Sequence, residues 1–359
     1  MKSLRTFIRR LTAAFAILSI SITYTFTAYA VDEQNALAAQ AAEKQASPVV
    51  DGNPAKYAYT DMVNDIRILT AAYPQYVTAD RLAVTEDGRN LLRLVIGNDK
   101  AAHHILVNAA IHGREYITAQ LVMKQCTEFV RHLANDDAYN GVSYRDMIKD
   151  CCIHVVPMIN PDGVTISQYG LEGLLHPESV EKVKSIAQKD HAAPEGEYLR
   201  RWKANVNGVD LNRNFDGRWA DYKDPVGHPS SDHYKGTAPA SEIESRAMIK
   251  LTRENNYDYI VCYHAQGQVL YWYYGEQGES KTKVTRLMEA LRKQNGYAPD
   301  AGYNGVDSGG YRDWTAGDLR IPSITVEVGK NYAPVDPAQF PAIWEQNRNA
   351  MEEVCLLTK

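Results

Sequence analysis

His112 and Glu115 stand three residues apart across Gly113 and Arg114. An imidazole and a carboxylate at that spacing can both face one metal ion, provided the backbone turns between them. The surrounding residues supply such a turn. Ile105 to Ile111 is an apolar run too short for a globular helix, and it reads as a buried strand. It stops at His112, Gly113 permits a sharp bend, and an amphipathic stretch opens at Glu115. There Ile117, Leu121, Phe129 and Leu133, with Val122, Cys126 and Val130 beside them, recur at helical spacing. The pair therefore sits where a buried strand hands over to a helix, the usual place for ligands in an open α/β sheet. A strand-end histidine beside a helix-start glutamate, placed near the positive helix end, would read the same way. The rest of the chain has to decide.

The chain has 359 residues, room for one large domain or two small ones. Its apolar share of 45% and charged share of 23% are those of an ordinary globular protein. A net charge of −5 makes no electrostatic case for nucleic-acid binding. Lys2, Arg5, Arg9 and Arg10 precede the apolar stretch Leu11 to Phe26, and Ala28-Tyr29-Ala30 has the small-x-small form of a signal-peptidase site. Residues 1–30 thus read as a signal peptide cleaved near Ala30, and the mature protein is expected to be secreted or held in the cell envelope. No later run approaches a membrane span. Residues 31–55 read as a linker, and the catalytic domain is expected over 56–359. Of five cysteines, the adjacent Cys151 and Cys152 cannot easily bond each other, so at least one thiol should be free; none has zinc-finger spacing.

Along the chain, helical patterns alternate with short apolar runs. A helix around Met62, Ile66 and Leu69 ends at Tyr73-Pro74. Val77 to Leu82 and Leu91 to Ile96 read as strands flanking a turn at Glu86-Asp87-Gly88. Cys152 to Met158 is another strand, closed by the turn signal Asn160-Pro161-Asp162-Gly163. Tyr169 to Glu197 reads as a surface insertion with one short helix. Ser241-Glu242-Ile243-Glu244 has capping-box form and should open a helix running to about Asn255. Tyr259 to Tyr263 is a strand ending at His264, and Val269 to Tyr274 alternates like another. Lys283 to Gln294 is a helix, Gly302 to Gly310 a glycine-rich loop expected to be mobile, Ile324 to Val328 a strand bearing Glu327, and Phe340 to Leu356 a closing helix. The expected fold is a single α/β domain, its mixed, mostly parallel central sheet flanked by helices on both faces.

From about Tyr57 to the C-terminus the motifs resemble, in order, those of the zinc metallocarboxypeptidases, the family containing carboxypeptidase A. They are His112-Gly113-Arg114-Glu115, Asn160-Pro161-Asp162-Gly163, Asn212-Arg213-Asn214-Phe215, His264 at a strand end, and Glu327 in Thr325-Val326-Glu327-Val328. The resemblance implies one zinc per chain held by His112, Glu115 and His264, an open coordination position for water, and Glu327 as general base. It implies that Arg213, with Asn212, holds the substrate's terminal carboxylate, and it places Arg114 among the substrate-binding residues.

Three positions depart from the animal digestive enzymes. Lys203 follows Trp202 where those enzymes carry an arginine that polarises the carbonyl, and lysine supplies charge without a planar fork. The mobile-loop tyrosine corresponds to Tyr303 with a two-residue offset, and Tyr311 is its rival. The pocket-floor position falls on Arg312, which favours a negative group on the substrate's last residue unless it turns outward to Asp307 or Asp313. Ile321 to Gly329 is similar to bacterial members described as γ-D-glutamyl-diaminopimelate peptidases. The expected substrate is therefore a cell-wall stem peptide, with C-terminal acidic residues of ordinary peptides as the alternative. A non-catalytic peptide binder and a small-molecule amidohydrolase are the remaining readings. A monomer is expected.

Overall fold

The computed structural model describes residues 56–301 and 308–359. The proposed signal peptide, the linker and Tyr303 lie outside them. Helix α1 (Tyr59–Ala72) leads into the hairpin β1 (Val77–Val84) and β2 (Asn90–Ile96). Strand β3 (His103–Ala109) is followed by α2 (Ile117–Asn135), α3 (Tyr144–Asp150) and β4 (Cys151–Val156). Next come α4 (Pro161–Tyr169), α5 (Pro177–Lys189), α6 (Gly196–Arg200) and α7 (Ile243–Glu254). Then β5 (Tyr257–His264), β6 (Val269–Tyr271), α8 (Gly278–Asn295), β7 (Ala298–Asp300), α9 (Tyr311–Gly317), β8 (Ser323–Glu327), α10 (Phe340–Asn347) and α11 (Ala350–Leu356) complete the chain.

The eight strands form one sheet in the order β1-β2-β4-β3-β5-β8-β6-β7. Its centre, β4-β3-β5-β8, is parallel, while β1, β2 and β6 make antiparallel pairs. Side-chain alternation divides the core. Ile105, Val107 and Ala109 of β3 face α1, α2, α8, α10 and α11; Leu106 faces the cluster built with Met248 and Leu251 of α7 and Trp314 of α9. Both faces of β3 are thus covered by apolar surface, which is why its sequence is a continuous apolar run.

Several local expectations change. Asn160 to Gly163 is a helix start, not a free turn: Pro161 occupies the first turn of α4, and the Asn160 side chain accepts from Gly163 N at 2.9 Å. The stretch after Tyr169 is more than a surface insertion, because Val183 and Ile186 of α5 pack with Leu199 and Trp202 in a small core of their own. Ser241 does not cap α7. Its hydroxyl donates to Glu242 and accepts from Asn214, and Glu242 is the residue preceding the helix. Only Val269–Tyr271 of the alternating run is strand. The closing helix is two, broken at Arg348 and Asn349. All five thiols are free and buried. None of the described helices is long and apolar enough to cross a membrane.

Glu244, in the first turn of α7, is buried with one carboxylate oxygen lacking a partner. Burial pushes its carboxyl up to about 8 from an ordinary 4.5. Between those values the folded chain keeps a proton that the unfolded chain has lost, so stability falls as pH rises through this window. Glu244→Gln should flatten that dependence in denaturant titrations and stabilise the protein at pH 8 by on the order of 1 kcal/mol or more. An unaltered slope would assign the pH dependence elsewhere.

Candidate active site

Three neighbouring parallel strands deliver the site. β3 ends just before His112, β5 ends at His264, and β8 ends at Glu327. The β5–β8 register sets Glu327 beside His264, so imidazole and carboxylate emerge from adjacent strands at the same height. A short 3-10 turn, Gly113–Glu115, then returns Glu115 towards His112 before α2 begins.

Two packing contacts fix that turn. Gly113 lies directly against Gly163 at the start of α4, where a Cβ on either glycine would meet backbone at 2.4 Å. Asn160 donates from one side-chain nitrogen to Ile111 O at 3.2 Å and Ala204 O at 3.0 Å. Gly113 N donates to Lys203 O at 3.0 Å. The Asn-Pro-Asp-Gly segment is therefore the support on which the His112 turn rests.

His112 Nδ1 lies 2.7 Å from Glu115 Oε1, and His264 Nδ1 lies 3.0 Å from Glu115 Oε2. Ala265 N donates to the second oxygen at 3.2 Å. All three side chains are buried, and their ligand atoms lie within 4.8 Å of one another. Burial alone would raise the Glu115 carboxyl, but the charges of His112 and His264 outweigh it and hold the group well below the carboxylate range. For His264 burial opposes the charged form, and the Glu115 carboxylate overcomes it and raises the imidazole. Two nitrogens and a carboxylate converging in a buried site are a donor set suited to the zinc that the sequence resemblance implies. The outer nitrogen of His112 is 3.2 Å from Asp210 Oδ1, which turns the ring so that Nδ1 faces inward.

Glu327 stands beside this group on the wall of a cleft of about 480 Å³. Burial pushes its carboxyl up to about 8, with the charge of His264 pulling the other way. Arg114, Lys203, Asn212, Arg213 and Arg312 line the same cleft. The structure thus assembles nine of the ten residues singled out in the sequence; the tenth, Tyr303, is not described. Its rival Tyr311 is buried against Thr252, 2.7 Å between hydroxyls, and does not reach the cleft. A hollow of about 570 Å³ between α7 and α8 brings together no comparable ligand set among the described residues.

Lys203 is held between two carboxylates. Its Nζ lies 2.9 Å from Asp210 Oδ2 and 3.1 Å from Asp232 Oδ1. Burial disfavours its charge, and the two aspartates more than compensate. It therefore anchors Asp210, which orients His112. Arg114 also pairs with Asp232, at 3.2 Å. Sequence reading missed these two aspartates, although Asp210 stands two residues before the quoted Asn212-to-Phe215 segment. Arg312 combines both expectations: it pairs with Asp313 at 3.1 Å, yet remains on the cleft wall, stacked on Tyr274. Asn212 accepts from Tyr311 N at 3.0 Å, and Arg213 lies over the Tyr222 ring.

A family model described as zinc carboxypeptidase matches residues 62–350. The gamma-D-glutamyl-L-diamino acid endopeptidase 1 of Lysinibacillus sphaericus is 31% identical over 295 residues, covering 81% of this chain and 70% of that protein. Carboxypeptidase B of Astacus astacus is 25% identical over 278 residues, covering 72% and 82%. In fold, the chain is similar to bovine thrombin-activatable fibrinolysis inhibitor, solved with a tick carboxypeptidase inhibitor. The TM-score is 0.61 at 18% identity, covering 84% of this chain and 96% of that one.

Gly163→Ala forces a methyl group into Ala204 O and the Asn160 side chain. It should cost about 1–3 kcal/mol of stability and lower zinc retained per chain. Thermal melts with metal analysis check this; normal values for both would show that the two backbones can part without disturbing His112.

Proposed function

The chain belongs to the zinc carboxypeptidase family of peptidases, and from that premise we propose that it is an exported cell-wall peptidase cutting the γ-D-Glu-diaminopimelate bond of stem peptides. The observation that carries this reading is Arg312 on the same cleft wall as Arg213. Diaminopimelate bears a second carboxylate on its side chain, and two guanidinium groups in one cleft suit the two carboxylates. Its side chain also bears an ammonium group, for which Asp313 beside Arg312 supplies opposite charge. The similarity to a relative named for γ-D-glutamyl-L-diamino acid cleavage supports the same reading. Removal of Glu or Asp from ordinary peptide C-termini is the alternative, also favoured by Arg312.

In the proposed mechanism His112, Glu115 and His264 hold zinc. When bound, zinc supplies Lewis acidity, polarising the scissile carbonyl and making water more acidic. Arg213 grips the terminal carboxylate through paired N–H donors, with Asn212 beside it, and so fixes which bond lies over the site. Glu327 takes the proton from the attacking water and returns it to the leaving nitrogen. Its burial favours the protonated form and thus suits the second half of that task. Lys203, held by Asp210 and Asp232, contributes positive charge at the cleft and keeps Asp210 against His112. Tyr303 is proposed to take part in catalysis, as the family resemblance implies. The mature chain is proposed to act as a monomer.

Glu327→Gln should retain zinc and lose turnover by about 10²–10⁴-fold, the usual worth of a positioned acid–base group; a near-normal rate would remove Glu327 from that role. Hydrolysis of a γ-D-Glu-diaminopimelate peptide should exceed that of a Glu-ending α-peptide, and Arg312→Asp should shift preference towards basic terminal residues. Cleavage of the α-peptide alone would overturn the cell-wall reading. Unchanged selectivity in the variant would take Arg312 out of substrate recognition.

A further inference from the structure

The opposite end of the central strands carries a second cluster of ligand-type side chains. His104 is the second residue of β3, and the parallel register sets it beside Cys152 of β4. Two residues further along β4, on the same face, comes His154. Asp99, from the loop between β2 and β3, closes the group. One ligand atom from each of the four lies within 4.8 Å of the others. Cys152 and His154 are fully buried, while His104 and Asp99 reach the surface and give an ion a way in.

We propose that Asp99, His104, Cys152 and His154 form a second transition-metal site, for zinc or a cation of similar softness, separate from the catalytic centre. The donor set supplies one sulfur, two imidazoles and one carboxylate, and tetrahedral zinc accepts all three types. With zinc bond lengths the ligand atoms of such a site stand about 3.3–3.6 Å apart, within the present range, which runs from 2.6 Å between His154 and Asp99 to no more than 4.8 Å. His154 is already oriented as a ligand. Its Nδ1 lies 2.7 Å from the Tyr257 hydroxyl, and its Nε2 points at Asp99 Oδ1, 2.6 Å away. Without an ion Nε2 donates to Asp99; with an ion in that place Nδ1 would donate to the Tyr257 hydroxyl and the Nε2 lone pair would face the cluster. His104 and His154 stand edge to face with centroids 5.3 Å apart. The nearby cation does not fill the site: Arg93 is engaged by Asp80 at 2.6 and 3.0 Å, and stands 3.8 Å from Asp99.

Burial pushes the Cys152 thiol up to about 12 and His154 down to about 4. Cys152 loses its proton to solvent only when the cation takes its place beside sulfur. A bound ion would tie the Asp99 loop to β3 and β4 at the end of the sheet remote from His112, so its part is structural.

The cobalt-substituted full chain distinguishes the two centres, because the catalytic set has no sulfur. Cobalt should give a thiolate-to-metal charge-transfer band in the near ultraviolet, lost in Cys152→Ser and kept in Glu115→Gln. Elemental analysis of the zinc form should find about two ions per chain, falling to about one in both Cys152→Ser and His104→Ala, with hydrolytic activity retained in each. No charge-transfer band in the wild-type protein, with about one zinc per chain, would overturn the proposal and leave the catalytic assignment untouched.

Discussion

The structure depends on one carboxylate held between two imidazoles. Glu115 is buried, and each of its oxygens faces the Nδ1 atom of a different histidine. Without compensating positive charge a carboxylate in such a place would cost several kcal/mol. Part of the compensation comes from His264, 149 positions from Glu115 and joined to it only by the folding of the sheet. The strand order β3-β5-β8 is what brings them together, so the topology of the whole domain is expressed at this one point.

Successive layers then hold that point in place. Asp210 turns His112, Lys203 holds Asp210, and Asp232 is shared by Lys203 and Arg114. Beneath them the Gly113–Gly163 contact and the Asn160 side chain fix the height of the turn. Charged groups buried this deeply are tolerated because each is paired, and the pairing leaves little freedom for the ligands to drift. The cleft above combines positive side chains for an anionic substrate with one raised carboxylate, Glu327, beside His264. Rigid floor and charged walls together suit the proposed hydrolysis of a peptide ending in a carboxylate.

Much of this was legible in the sequence wherever a signal was local. The apolar run before His112 marked a doubly covered strand, and the periodicity after Glu115 marked α2. Signals with two structural meanings misled. Asn160-Pro161-Asp162-Gly163 serves equally as a turn and as a capped helix start, and only the strand that α4 follows decides between them. Ser241 had the spacing of a cap, but the tertiary contact with Asn214 took its hydroxyl. The division between α10 and α11 left no proline or glycine at the break to announce it. Lys203 was recognised as charge facing a substrate, whereas its engagement by Asp210 and Asp232 is a long-range contact that spacing cannot reveal. The Asp99–His154 cluster was illegible for the same reason, since it comes from a loop and two strands that neighbour only in the sheet.

The central claim is that His112, Glu115 and His264 share a single ion. Crystals of the zinc-loaded chain, measured on both sides of the zinc absorption edge, test it most directly. The account predicts an anomalous peak bounded by the Nδ1 atoms of both histidines and the Glu115 carboxylate, about 2.0–2.2 Å from each ligand atom. A zinc-loaded crystal with no peak among these three residues would contradict it.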